Sequence, residues 1–150
     1  FLLKVDVDYP DAETERRILI ETTSGSPTDL ETVFTPEKLM NLQALVRRLP
    51  VGAQIVDRIL NLIRDARPEQ SSVDTVRSQV LWGPSPRAGQ ALMLACRARA
   101  LLRGRLTPSV EDIEALAEPA LSHRMALRFD PTGEAPTLSK LIETLATRNT

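Results

Sequence analysis

Apolar residues recur every third or fourth position along most of the chain, and this spacing predicts helices. Tyr9-Pro10-Asp11 opens the first, running to about residue 21, with Asp11, Glu13 and Glu15 early and Arg16 and Arg17 later, as the helix dipole favours. Thr35-Pro36, a capping hydroxyl followed by proline, starts a helix with Leu39, Leu42, Val46 and Leu49 on one face. Another, about residues 52–66, carries Ile55, Ile59, Leu62, Ile63 and Ala66 and stops at Pro68, so the two form a helical hairpin around Pro50. From Pro86 to about Arg103 the pattern is apolar nearly all round, which places that helix at the centre of a bundle, and Gly104 follows as its C-terminal cap. Ser109-Val110-Glu111-Asp112 fits a capping box opening a short helix that Pro119 ends. Thr137 caps a last helix with Leu138, Leu141, Ile142 and Leu145 on one side.

Period two is convincing once, in residues 1–7, where Leu3, Val5 and Val7 alternate with Lys4, Asp6 and Asp8. A lone strand leaves its backbone groups unpaired, so this one either completes a sheet outside the sequence or pairs weakly with a later extended stretch such as 124–129. Residues 22–32 read as loop, 69–82 as loop with at most one turn of helix, and 130–136 as linker.

Composition narrows the class. At 150 residues, 42% apolar and 26% charged, the chain is long enough for a packed core and excludes disordered, collagen-like and disulfide-scaffold types. The longest apolar run, residues 91–96, is far below the roughly 20 needed to span a bilayer, so no membrane span is expected. Nineteen basic against twenty acidic side chains leave a net charge of −1, and five scattered aromatics offer no stacking platform, which argues against nucleic acid. Cys96, inside an apolar run, reads as a reduced cytosolic thiol serving as a small hydrophobe. The first residue is Phe1, and the opening reads as a fragment of a longer protein.

Gly83-Pro84-Ser85-Pro86-Arg87-Ala88-Gly89 holds the most informative chemistry. Ser85 as N-cap and Pro86 as first helical residue place Arg87 in the first turn, where the dipole disfavours a cation by about 0.3–1 kcal/mol. A phosphate in front of the helix reverses that sign, taking free N–H groups and the guanidinium together, with Gly83 and Gly89 keeping the approach open. The alternative is an arginine folded onto an acidic neighbour or into solvent.

The run Trp82-Gly83-Pro84-Ser85-Pro86-Arg87-Ala88, then Ala91-Leu92, Ala100-Leu101-Leu102-Arg103-Gly104-Arg105, Glu111-Asp112-Ile113, Leu116-Ala117 and Leu121-Ser122-His123-Arg124, resembles the C-terminal lid of MoxR-type AAA+ ATPases. Phe1-Leu2-Leu3-Lys4, Tyr9-Pro10-Asp11 and Glu15-Arg16 look like the stretch closing that family's nucleotide-binding core. Thr35-Pro36-Glu37, Leu42-Gln43 and Asp65-Ala66-Arg67-Pro68 sit where its preceding lid helices have similar residues. The resemblance implies a mainly α-helical lid bundle with a short N-terminal strand left from the α/β core. Its parts would be residues 1–21, the end of the core and a connecting helix; 22–129, the lid; and 130–150, linker and last helix.

By the same resemblance Arg87 would be the sensor-2 arginine that reads the terminal phosphates of ATP, with Ser85 and Pro86 setting its helix start. The longer protein would be a cytoplasmic, ring-forming, chaperone-like ATPase, a hexamer using ATP and Mg2+ to remodel or mature client or adaptor proteins. Two other readings remain: a non-enzymatic helical interaction domain, and the lid of a nucleic-acid-associated AAA+ protein. No Gly-x-x-x-x-Gly-Lys-Ser/Thr phosphate loop occurs, so the chain alone is expected to be inactive.

Other candidates carry less. His123 is the single histidine, which excludes a histidine-rich metal site and favours packing or a local hydrogen bond. Asp6, Asp8 and Asp11 lack the glycine and distal glutamate of a calcium loop. Arg97, Arg99, Arg103 and Arg105 gather at a helix end, where the dipole favours cations, and are assigned to surface or subunit contacts.

Overall fold

The computed structural model describes residues 1–25, 30–131, 133 and 135–148. Parts of the predicted loop 22–32 and linker 130–136, namely 26–29, 132 and 134, lie outside the described residues. The described elements are helices α1 (Ala12–Thr23), α2 (Pro36–Arg48), α3 (Ala53–Asp65), α4 (Asp74–Gln79), α5 (Pro86–Leu102), α6 (Val110–Leu121) and α7 (Leu138–Thr147), with strands β1 (Val80–Trp82) and β2 (Ala126–Leu127).

Helix starts obey local capping. Thr35 accepts from the Lys38 N–H at 3.2 Å and Thr137 from the Lys140 N–H at 3.3 Å, satisfying donors that no helical carbonyl reaches. Asp11 caps α1 through the Thr14 N–H at 2.7 Å, and that bond holds its carboxyl below the usual range. Gly104, at φ +70°, ends α5 in the left-handed region that costs glycine nothing.

α5 is the central rod, packing against α2, α3 and α6, and α6 in turn carries α7. Ala88, Ala91, Leu92, Ala95, Cys96 and Ala100 are buried along it, and the many alanines let its neighbours approach closely. Ile59, Leu62 and Ile63 of α3, Ile113 and Leu121 of α6, and Leu141, Ile142 and Leu145 of α7 join the same core. By contrast, α1 and α2 bury no residue, so the apolar face predicted on α2 is exposed at Leu39 and Leu42, and only Leu49, just past the helix, is buried.

Three sequence expectations need correction. Residues 1–7 pair with no strand among the described residues: Val5 and Val7 are exposed, and the segment is tied down by the Lys4 N–H on the Pro119 carbonyl at 2.8 Å and by Arg124 donating to the carbonyls of Phe1 and Leu2. Alternation makes a strand only where an edge is available to pair with it, and the extended stretch 124–129 pairs elsewhere. Its residues 126–127 are antiparallel to β1, with Val80 opposite Leu127 and Trp82 opposite Ala126. Residues 69–82, read as loop with at most one turn of helix, hold the six-residue α4 and also β1, fastened by fully buried Val76 and Val80. Finally, Pro119 lies inside α6, which continues to Leu121 because burial of Ala120 and Leu121 offsets the one hydrogen bond a proline cannot make.

Candidate functional site

The turn between β1 and α5 is shaped by two contacts with the end of α3. Gly83 lies so close to it that an added Cβ would sit 2.5 Å from the Ala66 carbonyl oxygen and 2.8 Å from Arg67 Cα. Arg67 Nε donates to the Pro84 carbonyl at 2.8 Å, and Pro84 is buried. Ser85 and Pro86 then take the N-cap and first helical positions, as expected from sequence. The Ser85 side chain makes no capping bond, while its carbonyl accepts the Ala88 N–H at 2.9 Å. Gly83 is therefore required by backbone packing, and a Cβ added at Gly89 would sit 3.5 and 3.8 Å from the side chains of Ile63 and Ile59 of α3, in ordinary contact. Gly83→Ala is expected to destabilise the chain by about 1–3 kcal/mol, because the obstructing atoms are backbone. Urea unfolding checks this, and parental stability would contradict the close approach.

Arg87 is exposed and makes no hydrogen bond or ion pair among the described residues. It lines an open cleft of about 530 Å³ with Phe1, Trp82, Gly83, Ser85, His123 and Arg124. Two of these side chains are guanidinium groups and none is a carboxylate. Arg124 is already engaged, donating to the Ala120 carbonyl at 3.0 Å, but its charge still faces the cleft. Burial first, then the neighbouring charge of Arg124, pushes the His123 imidazole below its ordinary value. A cleft with two cations, uncompensated by an acid and set at the positive end of a helix dipole, suits an anion. A second hollow of about 550 Å³ is walled mostly by apolar side chains and is also bordered by Gln43, Arg47 and Arg99, of which Arg99 is already paired with Asp112.

Half of the basic cluster has an internal role that sequence reasoning missed. Asp112, with a side-chain exposure of 0%, accepts from Arg99 Nη1 at 2.6 Å, from Arg105 Nη2 and Nη1 at 2.7 and 2.9 Å, and from the Ser109 N–H at 2.8 Å. Burial pushes this carboxyl up, but the bonds from Arg105, the Ser109 backbone and Arg99 together outweigh it and hold it well below the usual range. Arg99 and Arg105 thus join α5 to α6 and are not reserved for subunit contacts. Arg97 reaches the Arg47 carbonyl at 3.3 Å. The signal in the sequence was an acid at the third position of a capping box with arginines seven and thirteen residues upstream, but only folding brings the second one round.

Cys96 is buried, and that burial pushes its thiol up to about 12, so it stays protonated and unreactive. Asp6 pairs with Lys4 at 3.0 Å, apart from the capping role of Asp11. Among the described residues no cluster of three or more His, Cys, Asp or Glu side chains could hold a metal ion, and no helix is long and apolar enough to cross a membrane.

The central helix α5 starts at an arginine that is exposed and unpaired among the described residues, and it is clamped to the capped helix α6 through Asp112. Residues 74–145 match the family described as AAA lid domain, and most of the chain is similar to part of a MoxR-type AAA+ protein. It is 32% identical over 131 residues to Chaperone MoxR1 of Mycobacterium tuberculosis, covering 87% of this chain and 34% of that protein. It is 33% identical over 128 residues to the uncharacterized protein YeaC of Bacillus subtilis, covering 85% of this chain and 38% of that one. The fold matches a solved candidate ATPase of Cytophaga hutchinsonii with a TM-score of 0.84 at 22% identity, over 97% of this chain and 44% of that one. The chain thus spans a little over a third of the length of these curated relatives.

Proposed function

We propose that this chain is the phosphate-reading lid of an ATPase that hydrolyses ATP to remodel or mature partner proteins, with Arg87 as the sensor-2 arginine. The observation that carries the reading is the placement of Arg87: exposed, unpaired among the described residues, at the start of the central helix, in a cleft with a second guanidinium and no carboxylate. The arginines that serve the fold are bonded within it, Arg99 and Arg105 to Asp112 and Arg67 to the Pro84 carbonyl, and Arg87 has no such bond among the described residues. The cleft fits the terminal phosphates of a nucleotide, which fork geometry binds through two oxygens at once. ATP bound with Mg2+ supplies the phosphoryl group that is transferred to water. The role of Arg87 is to neutralise charge gathering on the phosphate oxygens, while the Gly83-Pro84-Ser85 turn keeps it in place.

The phosphate loop and the metal-holding carboxylates belong to the core of the longer protein. Assembly into a cytoplasmic ring, in which a lid meets the core of the next subunit, is part of the same reading, and the unburied faces of α1 and α2 are compatible with it. Support for a chaperone-like role comes from the similarity to Chaperone MoxR1.

The chain alone is expected to show no ATP turnover and no tight nucleotide binding, because a single sensor cannot replace a phosphate cradle. Phosphate release and calorimetry with Mg·ATP check this, and magnesium-dependent hydrolysis by a clean preparation would overturn the lid reading. The direct test of Arg87 is its replacement by alanine in the longer protein.

A further inference from the structure

We propose that Arg67, at the end of α3, is a positioning residue for Arg87, acting through the Pro84 carbonyl; this rests on the reading of Arg87 as the phosphate-facing arginine. Arg67 is itself held at both backbone ends. Its N–H donates to the Arg64 carbonyl at 3.1 Å, and its carbonyl accepts the N–H groups of Gln70 and Ser71 at 3.0 and 2.9 Å. From that fixed base the side chain reaches across 17 residues of sequence to the turn before α5, where Nε donates to Pro84 at 2.8 Å. Nη1 bonds the Gln70 side chain at 3.3 Å, which steadies the plane of the guanidinium.

The acceptor matters as much as the donor. Pro84 is buried, so its carbonyl needs a partner inside the protein, and the neighbouring Ser85 hydroxyl, being an acceptor or a donor without a capping bond, does not fix the turn. Without Arg67 the carbonyl gains a partner only if the turn moves toward water. Three residues further on is Arg87, at the second position of the helix, so such a movement is carried straight to its guanidinium. Gly83 closes the other side: the turn cannot relax inward, because the backbone of Ala66 and Arg67 already occupies that space. Arg67 does not border the cleft, so it has no contact with a phosphate there and acts only by aiming a residue that does.

The test compares Arg67→Met, Arg67→Lys, Arg87→Ala and the double variant Arg67→Met/Arg87→Ala in the full-length protein, measuring kcat and KM for ATP. Methionine keeps an unbranched stem and removes the donor. Arg67→Met is expected to lower kcat by about tenfold to a hundredfold, the scale of a misplaced catalytic group, with KM changed far less. Arg67→Lys, which keeps one donor, recovers part of the loss and carries the test if the methionine variant does not fold. The double variant should be no slower than Arg87→Ala, since a positioning residue has nothing left to position. Parental kcat in both Arg67 variants, with or without a lowered melting temperature, would make the Pro84 bond purely structural and overturn the proposal. Losses that multiply in the double variant would overturn it too. Parental hydrolysis in Arg87→Ala refutes the reading of Arg87 itself, a result distinct from either failure of Arg67.

Discussion

Arg87→Ala in the full-length protein should slow ATP hydrolysis by about 10–10³-fold while leaving the fold intact. Arginine fingers, which stabilise the same developing charge from a neighbouring subunit, are worth about 10³–10⁵ in rate, and a lid arginine that shares the work with the core is expected to contribute less. Arg87→Lys should recover only part of the rate, because an ammonium keeps the charge but cannot present two parallel donors. The stability effect has the opposite sign to that of a paired arginine. Removing an exposed cation from the positive end of α5 should leave stability unchanged or raise it by about 0.3 kcal/mol without nucleotide. Single-turnover hydrolysis and thermal melts measure the two halves. Parental hydrolysis with a lowered melting temperature would make Arg87 an ordinary structural residue.

The largest stability effect is expected at Asp112. Asp112→Ala removes the acceptor of three guanidinium bonds and a backbone bond inside the junction of α5 and α6. Breaking a buried ion pair costs about 3–5 kcal/mol when the remaining charge stays buried. Here the partners keep an outlet to water, since Arg99 and Arg105 are 27% and 35% exposed, so the lower end of that range, about 3 kcal/mol, is expected. For a domain of this size the melting temperature should fall by about 6–12 °C. The pH dependence follows from the depressed carboxyl. Its contribution is fully present above the unfolded value of about 3.9 and is lost as pH falls toward the folded value, so acid weakens the parent. Asp112→Asn should be less stable at pH 7 and lose less between about pH 5 and 2. An acid limb as steep in Asp112→Asn as in the parent would show that another carboxylate dominates.

The two effects separate function from folding in neighbouring parts of one helix. Arg87, at the start of α5, lacks a partner among the described residues and is expected to matter to rate; Arg99, near its end, is paired and matters to stability. The chemistry of the two side chains is identical. What differs is whether a carboxylate stands opposite, and Asp112 reaches only one of them.

The sequence by itself determined the described helices other than α4, their starts and the central place of α5, because capping and 3.6-residue periodicity are decided by neighbours within about one turn. Thr35, Thr137, Gly104 and the apolar run 91–96 were readable for that reason, and so was the placement of Arg87 two residues after Ser85. Only the tertiary structure decided what depends on partners far along the chain. Residues 1–7 had the alternation of a strand but no edge to pair with, while 126–127 found β1. Pro119 had the look of a helix end until burial of Ala120 and Leu121 carried the helix past it. Gly83 read as an open approach to a ligand and proved to be the one residue that fits against Ala66. Arg99 and Arg105 read as surface charge until folding placed Asp112 between them. Each of these turns on a contact whose free energy exists only once the chain has closed a loop, and no local pattern of residue types records it.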